Sequence, residues 1–176
     1  MVEFHVPERR EAATLAALGR TTFVSTFGHL YSSENLANFL ASVYSDDAVR
    51  AELANPQLLW SVAVDSETPG LPIGFCKLGL TTSLPGDFGA RRVMEFKQLY
   101  LLTAYHGRGI ADDFMRWALE QALQRGYDDM VLCVFSENLR AQRFYQRYGF
   151  AKYMDYHFMV GDQRDHEFLF HKSLRG

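Results

Sequence analysis

Apolar residues recur along the chain in two rhythms, and the change between them separates a helical beginning from a strand-rich remainder. Leu36, Phe39, Leu40, Val43 and Tyr44 fall at helical spacing after Ser33, which has the chemistry of an N-cap. A related pattern runs from about Arg9 to Phe27, and the helical stretch ends near Pro56. Beyond it the apolar positions gather into short runs: Leu58 to Val64, Ile73 to Leu80, Val93 to Leu102, Met130 to Phe135, Lys152 to Val160 and His166 to Lys172. Turns such as Thr68-Pro69-Gly70 and Leu84-Pro85-Gly86-Asp87 part them, so they read as strands. Between the third and fourth of these runs the helical rhythm returns at Ile110, Phe114, Trp117, Ala118, Gln121 and Ala122. A crossover helix of that kind is what parallel neighbours around Leu99 and Cys133 require. The order is mixed α/β, and in such sheets ligands collect at the carboxyl ends of the parallel strands.

The junction before that helix, Tyr105-His106-Gly107-Arg108-Gly109-Ile110-Ala111, lacks side chains where a bound group would need room. Gly107 and Gly109 allow a sharp turn and a close approach, and the unpaired amides of the following helix favour an anion. A Walker loop is excluded because no Lys-Ser or Lys-Thr pair follows a glycine at the required spacing. A dinucleotide fingerprint is excluded because Asp112 and Asp113 stand where a third glycine would have to come. A plain strand-to-helix connection remains, although one glycine would serve it as well as two. The junction therefore reads as a pyrophosphate cradle.

Two motifs, in order, carry a resemblance. His106, Gly107, Arg108, Gly109, Ile110 and Ala111 match Gln/Arg-x-x-Gly-x-Gly/Ala, and Asn138, Ala141, Phe144, Tyr145, Gly149 and Phe150 match Asn-x-x-Ala-x-x-Phe-Tyr-x-x-x-Gly-Phe. Over roughly residues 60 to 172 the chain resembles the GNAT superfamily of acyl-CoA N-acyltransferases. The resemblance implies acetyl-CoA as co-substrate, with no metal, and an α/β GNAT fold: a mixed central sheet, splayed central parallel strands and flanking helices. It also implies that Leu99, Tyr100 and Leu101 offer backbone groups to the pantetheine arm, with the Leu101 amide as oxyanion donor. Asn138 would meet the cofactor across the cleft. His106 departs from the family's Gln or Arg, a change expected to tune affinity, because backbone amides make most of the phosphate contacts.

The chemistry can be argued from the residues as well. An alkylamine keeps its proton up to a pKa of about 10 and attacks a thioester only as the free base, so a proton acceptor is needed. The departing thiolate, with a thiol pKa of about 8.5, needs a donor, and the phenol of Tyr145 suits that task. Tyr145 is thus expected to be the general acid, packing being the alternative for an aromatic at helical spacing. In an extended strand Glu95 lies on the same side as Leu99 and Leu101 and is the candidate base, a salt bridge to Lys97 or a solvated edge being its alternatives.

Composition narrows the rest. With 176 residues, 48% hydrophobic and 22% charged, residues 1–176 read as a single domain with a full-sized core. A net charge of −3 gives no general attraction to nucleic acid, although Arg140, Arg143 and Arg147 form a local basic run. No apolar run approaches a membrane span and no signal core opens the chain, which points to the cytoplasm. Cys76 and Cys133 sit in apolar runs as small reduced hydrophobes, and His157, His166 and His171 lack metal-ligand spacing.

The segment from Thr22 to Ser32 and the helix after it resemble the bacterial branch that includes polyamine N-acetyltransferases. A small-molecule amine, polyamine-like, is the favoured acceptor, with Glu34, Asp46, Asp47, Glu95, Glu137 and Asp155 as candidates to hold its ammonium groups. Acetylation of a protein N-terminus, of antibiotics or of amino acids stays open, as does an acyl-CoA sensor without transfer. An edge such as Lys152 to Val160 could join two copies into a homodimer.

Overall fold

Residues 1–175 are described by a computed structural model. Its strands are β1 (Val2–His5), β2 (Leu58–Asp65), β3 (Pro72–Gly79), β4 (Val93–Leu101), β5 (Asp129–Phe135), β6 (Ala151–Val160) and β7 (Gln163–Ser173). They form one sheet in the order β1-β2-β3-β4-β5-β7-β6. Every neighbouring pair is antiparallel except β4 and β5, which are parallel. Helices α1 (Ala12–Phe27), α2 (Ser33–Val43) and α3 (Asp46–Leu53) precede β2, while α4 (Ile110–Gln124) joins β4 to β5 and α5 (Leu139–Arg147) follows β5. This is the mixed α/β architecture that the hydrophobic pattern predicts.

Each face of the sheet has its own core. On one, Met94, Phe96, Leu78 and Leu132 pack against Phe114, Met115, Ala118 and Ala122 of α4, whose spacing makes a single apolar stripe. On the other, Trp60, Val62 and Phe75 meet Ala12, Leu15 and Ala16 of α1 and Val49 of α3. Small residues along α1 let it lie close to its neighbours. At Gly19 an added Cβ would stand 2.5 Å from the ring of Tyr44. Alanine at a helical position normally gains about 1 kcal/mol over glycine, whereas overpacking of this kind costs about 1–3 kcal/mol. Gly19→Ala is therefore expected to lower the unfolding temperature, which thermal denaturation would read directly, and a rise would show that Tyr44 yields freely.

Three details differ from the sequence reading. The N-cap of α2 is Ser32, whose hydroxyl accepts from the Asn35 amide at 3.1 Å, so Ser33 is the first helical residue. The helical beginning is broken before Asp46, where Ser45 caps a separate α3 by accepting from the Ala48 amide. The N-terminus adds a short edge strand, β1, which the pattern over so few residues did not reveal.

The fourth difference bears on the site. Register slips between β3 and β4, with Lys77 opposite Gln98 but Leu78 opposite Phe96, so β4 bulges at Lys97. Directly paired residues share a face, and a bulge reverses the alternation beyond it. Glu95 pairs with Gly79 and Leu99 with Cys76. Leu99 and Leu101 consequently join Met94 and Phe96 on the α4 face, whereas Glu95, Gln98 and Tyr100 turn to the face that carries α1 and α3. The expectation that Glu95 shares a side with Leu99 and Leu101 is corrected by that one extra residue.

Candidate active site

Strands β4 and β5 pair at only three positions, Val93 with Asp129, Met94 with Met130 and Glu95 with Val131, and then part. A cleft of about 1040 Å³ opens from there, lined by both strands, α1, α2, α4, α5, β6 and β7. The Leu102 amide donates to the Ile73 carbonyl at 2.9 Å. In an antiparallel ladder this means that alternate residues bond to β3, Tyr100 among them, and that Leu99 and Leu101 turn their backbone groups to the cleft. Tyr100 accordingly departs from the expectation of a backbone contact: its peptide groups serve β3 and its ring is what it brings to the site.

The cradle at the top of the cleft follows from local geometry. Gly107 and Gly109 have φ of +76° and +81°, a region that a Cβ makes costly, and nothing lies within 4 Å of where that Cβ would be. Gly109 is the N-cap of α4, and the first amides of that helix, at Ile110 and Ala111, have no intrahelical partner. Its first-turn Asp112, which also lines the cleft, accepts from the Tyr148 hydroxyl at 2.5 Å and from Arg147 at 3.2 Å. The rim is basic: Arg140, Arg143 and Arg147 line the cleft, and Arg108 stacks on Tyr105 beside it. Free amides, open space and guanidinium groups fit a pyrophosphate, so the residues present suit coenzyme A.

His106 takes a defined place here. Arg140 donates to its Nδ1 at 2.8 Å, which leaves Nε2 to carry the hydrogen and donate to the Leu101 carbonyl at 3.0 Å. One neutral tautomer satisfies both contacts and ties α5 to the cleft edge of β4.

Tyr145, Asn138 and the cysteines lie deeper. The Tyr145 ring meets Phe96, Phe144 and Phe150 edge-on, and burial raises its phenol above the ordinary range, keeping the proton on. Asn138 lines the cleft, but its side-chain oxygen already caps α5 by accepting from the Ala141 amide at 3.1 Å. Burial pushes the Cys76 thiol up, and burial with the carboxylates of Glu167 and Glu95 pushes Cys133 up to about 12. Neither supplies a thiolate at neutral pH. Among the described residues no three His, Cys, Asp or Glu side chains gather as metal ligands.

The face carrying α1 is different in character. Phe23, Phe27, Tyr31, Phe39, Tyr44 and Phe158 wall it, and Gln98 donates to the Tyr44 hydroxyl, which donates on to Tyr100 at 2.9 Å. Glu95 is 8% exposed; Lys97 donates to its Oε1 at 3.1 Å, while Oε2 is buried without a partner. Of the six carboxylates considered from sequence, Glu95 alone lines this cleft; Glu34, Asp46, Asp47 and Glu137 are exposed, and exposed Asp155 is held by Lys152 and His166. Sequence reasoning missed Asp165 and Glu167, two residues apart on β7 and in phase with buried Leu169. That acidic pair at inward positions of an apolar strand was the available signal. Burial, and then the neighbouring Asp165, raise the Glu167 carboxyl to about 7.

Comparison with known proteins gives a consistent picture. The model of the acetyltransferase (GNAT) family matches residues 24–150. An uncharacterized N-acetyltransferase of Lactobacillus delbrueckii subsp. lactis is 28% identical over 159 residues, 90% of this chain and 89% of that protein. Among solved structures, the PaiA N-acetyltransferase of Thermoplasma acidophilum, in complex with coenzyme A, superposes with a TM-score of 0.76 at 21% identity, covering 98% of this chain and 99% of that one. NAA60 of Arabidopsis thaliana, in complex with acetyl-CoA, gives 0.77 at 16% identity over the whole of both chains. Those two likenesses are of fold.

Proposed function

The chain belongs to the GNAT acetyltransferase family and is an acetyl-CoA-dependent N-acetyltransferase, and from that premise we propose that its acceptor is a primary amine of a small, polyamine-like molecule. The observation that carries this reading is the polarity of the cleft. Guanidinium groups and free amides border the cradle end, while aromatic rings and the carboxyls of Glu95, Asp165 and Glu167 border the other. The first chemistry suits a polyanion and the second a cationic amine.

Acetyl-CoA supplies an activated thioester when bound. The cradle amides and the basic rim would hold its phosphates, and the cleft-facing backbone of Leu99 and Leu101 would meet its arm. The Leu101 amide is the proposed donor to the oxygen that becomes negative during attack. Glu95 offers an unpartnered oxygen to the amine's proton, and Tyr145 keeps a proton for the departing sulfur. Direct attack within a ternary complex accords with both cysteines being held as thiols.

The reading is tested by thiol release from acetyl-CoA against spermidine, spermine, amino acids, aminoglycosides and short peptides. Turnover with the polyamines at a kcat/KM at least tenfold above the rest is expected. Turnover confined to peptides, or none with any amine despite tight acetyl-CoA binding, would overturn it.

A further inference from the structure

Of the three carboxyls at the acceptor end of the cleft, those of Glu95 and Glu167 stand at some distance from each other. Glu95 sits where β4 and β5 begin to part. Its partner Val131 pairs in turn with His171 on β7, and Glu167 lies four residues along that strand. With strands about 4.8 Å apart and a rise of about 3.3 Å per residue, the two Cα atoms stand on the order of 16 Å from each other. Glu167 pairs across to Phe135 on one side and Tyr156 on the other, and Phe27 meets Phe135 edge-on at 6.0 Å. Among the described residues the Glu167 carboxyl has no hydrogen bond and no ion pair, whereas its neighbour Asp165 is engaged by the Tyr31 hydroxyl and by Gln163 at 2.9 Å. A lone carboxyl among aromatic rings is a receptor for a cation. The buried, unpartnered Oε2 of Glu95 is a second acceptor awaiting a donor in the same cavity.

We propose that Glu167, walled by Phe135, Tyr156 and Phe27, is a subsite for a second, non-reacting ammonium of the acceptor, whose reacting amine lies toward Glu95. This rests on the amine-acetylation reading and narrows it: the substrate is an extended di- or polyamine, and Glu167 determines that specificity without taking part in the chemistry. The groups that face Glu167 are Asp165 on its own strand, Tyr156 on β6, Cys133 on β5, Tyr100 on β4 and Tyr31 after α1, with Glu95 and Lys97 farther along the cleft. None of them is a cation in direct contact with it. Burial and Asp165 keep its proton on until about pH 7, so its affinity for an ammonium grows as pH rises through that value and levels off above it.

The sign for stability is the reverse. An ordinary glutamate titrates near 4.3, so the folded protein binds the extra proton and loses stability as pH rises from there to about 7. Glu167→Gln removes that loss and is expected to raise the unfolding temperature at pH 8 but not at pH 4, which also shows that the variant folds.

The test compares spermidine with hexylamine, a shorter alkylamine that carries a single charge and no second ammonium. In Glu167→Gln, kcat/KM for spermidine is expected to fall about 30-fold through KM and that for hexylamine less than threefold. The wild-type ratio of KM for hexylamine to KM for spermidine should climb about tenfold between pH 6 and 8 and stay flat in the variant. Equal losses for both substrates in kcat would make Glu167 part of the chemistry and overturn the subsite, as would no change for either. Wild-type turnover of hexylamine matching that of spermidine would refute the subsite while leaving amine acetylation standing, and absence of turnover with every amine would remove both.

Discussion

Tyr145→Phe is expected to lower kcat by roughly 100- to 1000-fold while KM for acetyl-CoA changes less than threefold. The magnitude is that of losing a positioned general acid. The ring keeps its contacts with Phe96, Phe144 and Phe150, so neither the fold nor the cleft wall is disturbed. Burial holds the phenol above its usual value of about 10, and the acid form therefore persists across the neutral range. An alkaline fall in wild-type kcat below pH 10 would have to arise from another group. Steady-state kinetics of the variant, with circular dichroism as the control for folding, decides the matter: a kcat within threefold of wild type would leave Tyr145 as a packing residue only.

Gly109→Val should cost more at the level of binding. A side chain in the left-handed region costs about 1–2 kcal/mol for an ordinary residue, and a β-branched one sits there worse still. More important is the space above Gly109, where an added Cβ meets nothing within 4 Å and would intrude on the cradle. We expect acetyl-CoA affinity, measured by calorimetry, to fall at least 100-fold, with only a modest drop in unfolding temperature. A folded variant that binds acetyl-CoA as the parent does would show that the phosphates seat elsewhere.

Much of this was legible in the chain because the informative signals are local. The glycine turn and α4 stripe lie within one stretch, and the strands announce themselves by β-branched and aromatic runs between Pro and Gly turns. What escaped depends on pairing between distant segments. Which side Glu95 faces is decided by one extra residue in β4, visible only once β3 is laid beside it. Glu167 becomes part of the cleft because β7 pairs with β5, more than thirty residues upstream. The role of Tyr100 likewise turned on register, since a hydrogen-bonding parity cannot be read from composition.

The brief pairing of β4 and β5 also bears on how the protein keeps from sticking to itself. Beyond Glu95 and Val131 each strand presents a run of peptide groups without a neighbouring strand, in the middle of a sheet. Unpaired edges are templates for aggregation, and proteins normally cover them with charge, bulges or extra structure. Here the proposed cover, for the β4 edge, is the arm of coenzyme A. On the proposed seating of coenzyme A along β4, the loaded protein is expected to aggregate more slowly than the stripped one.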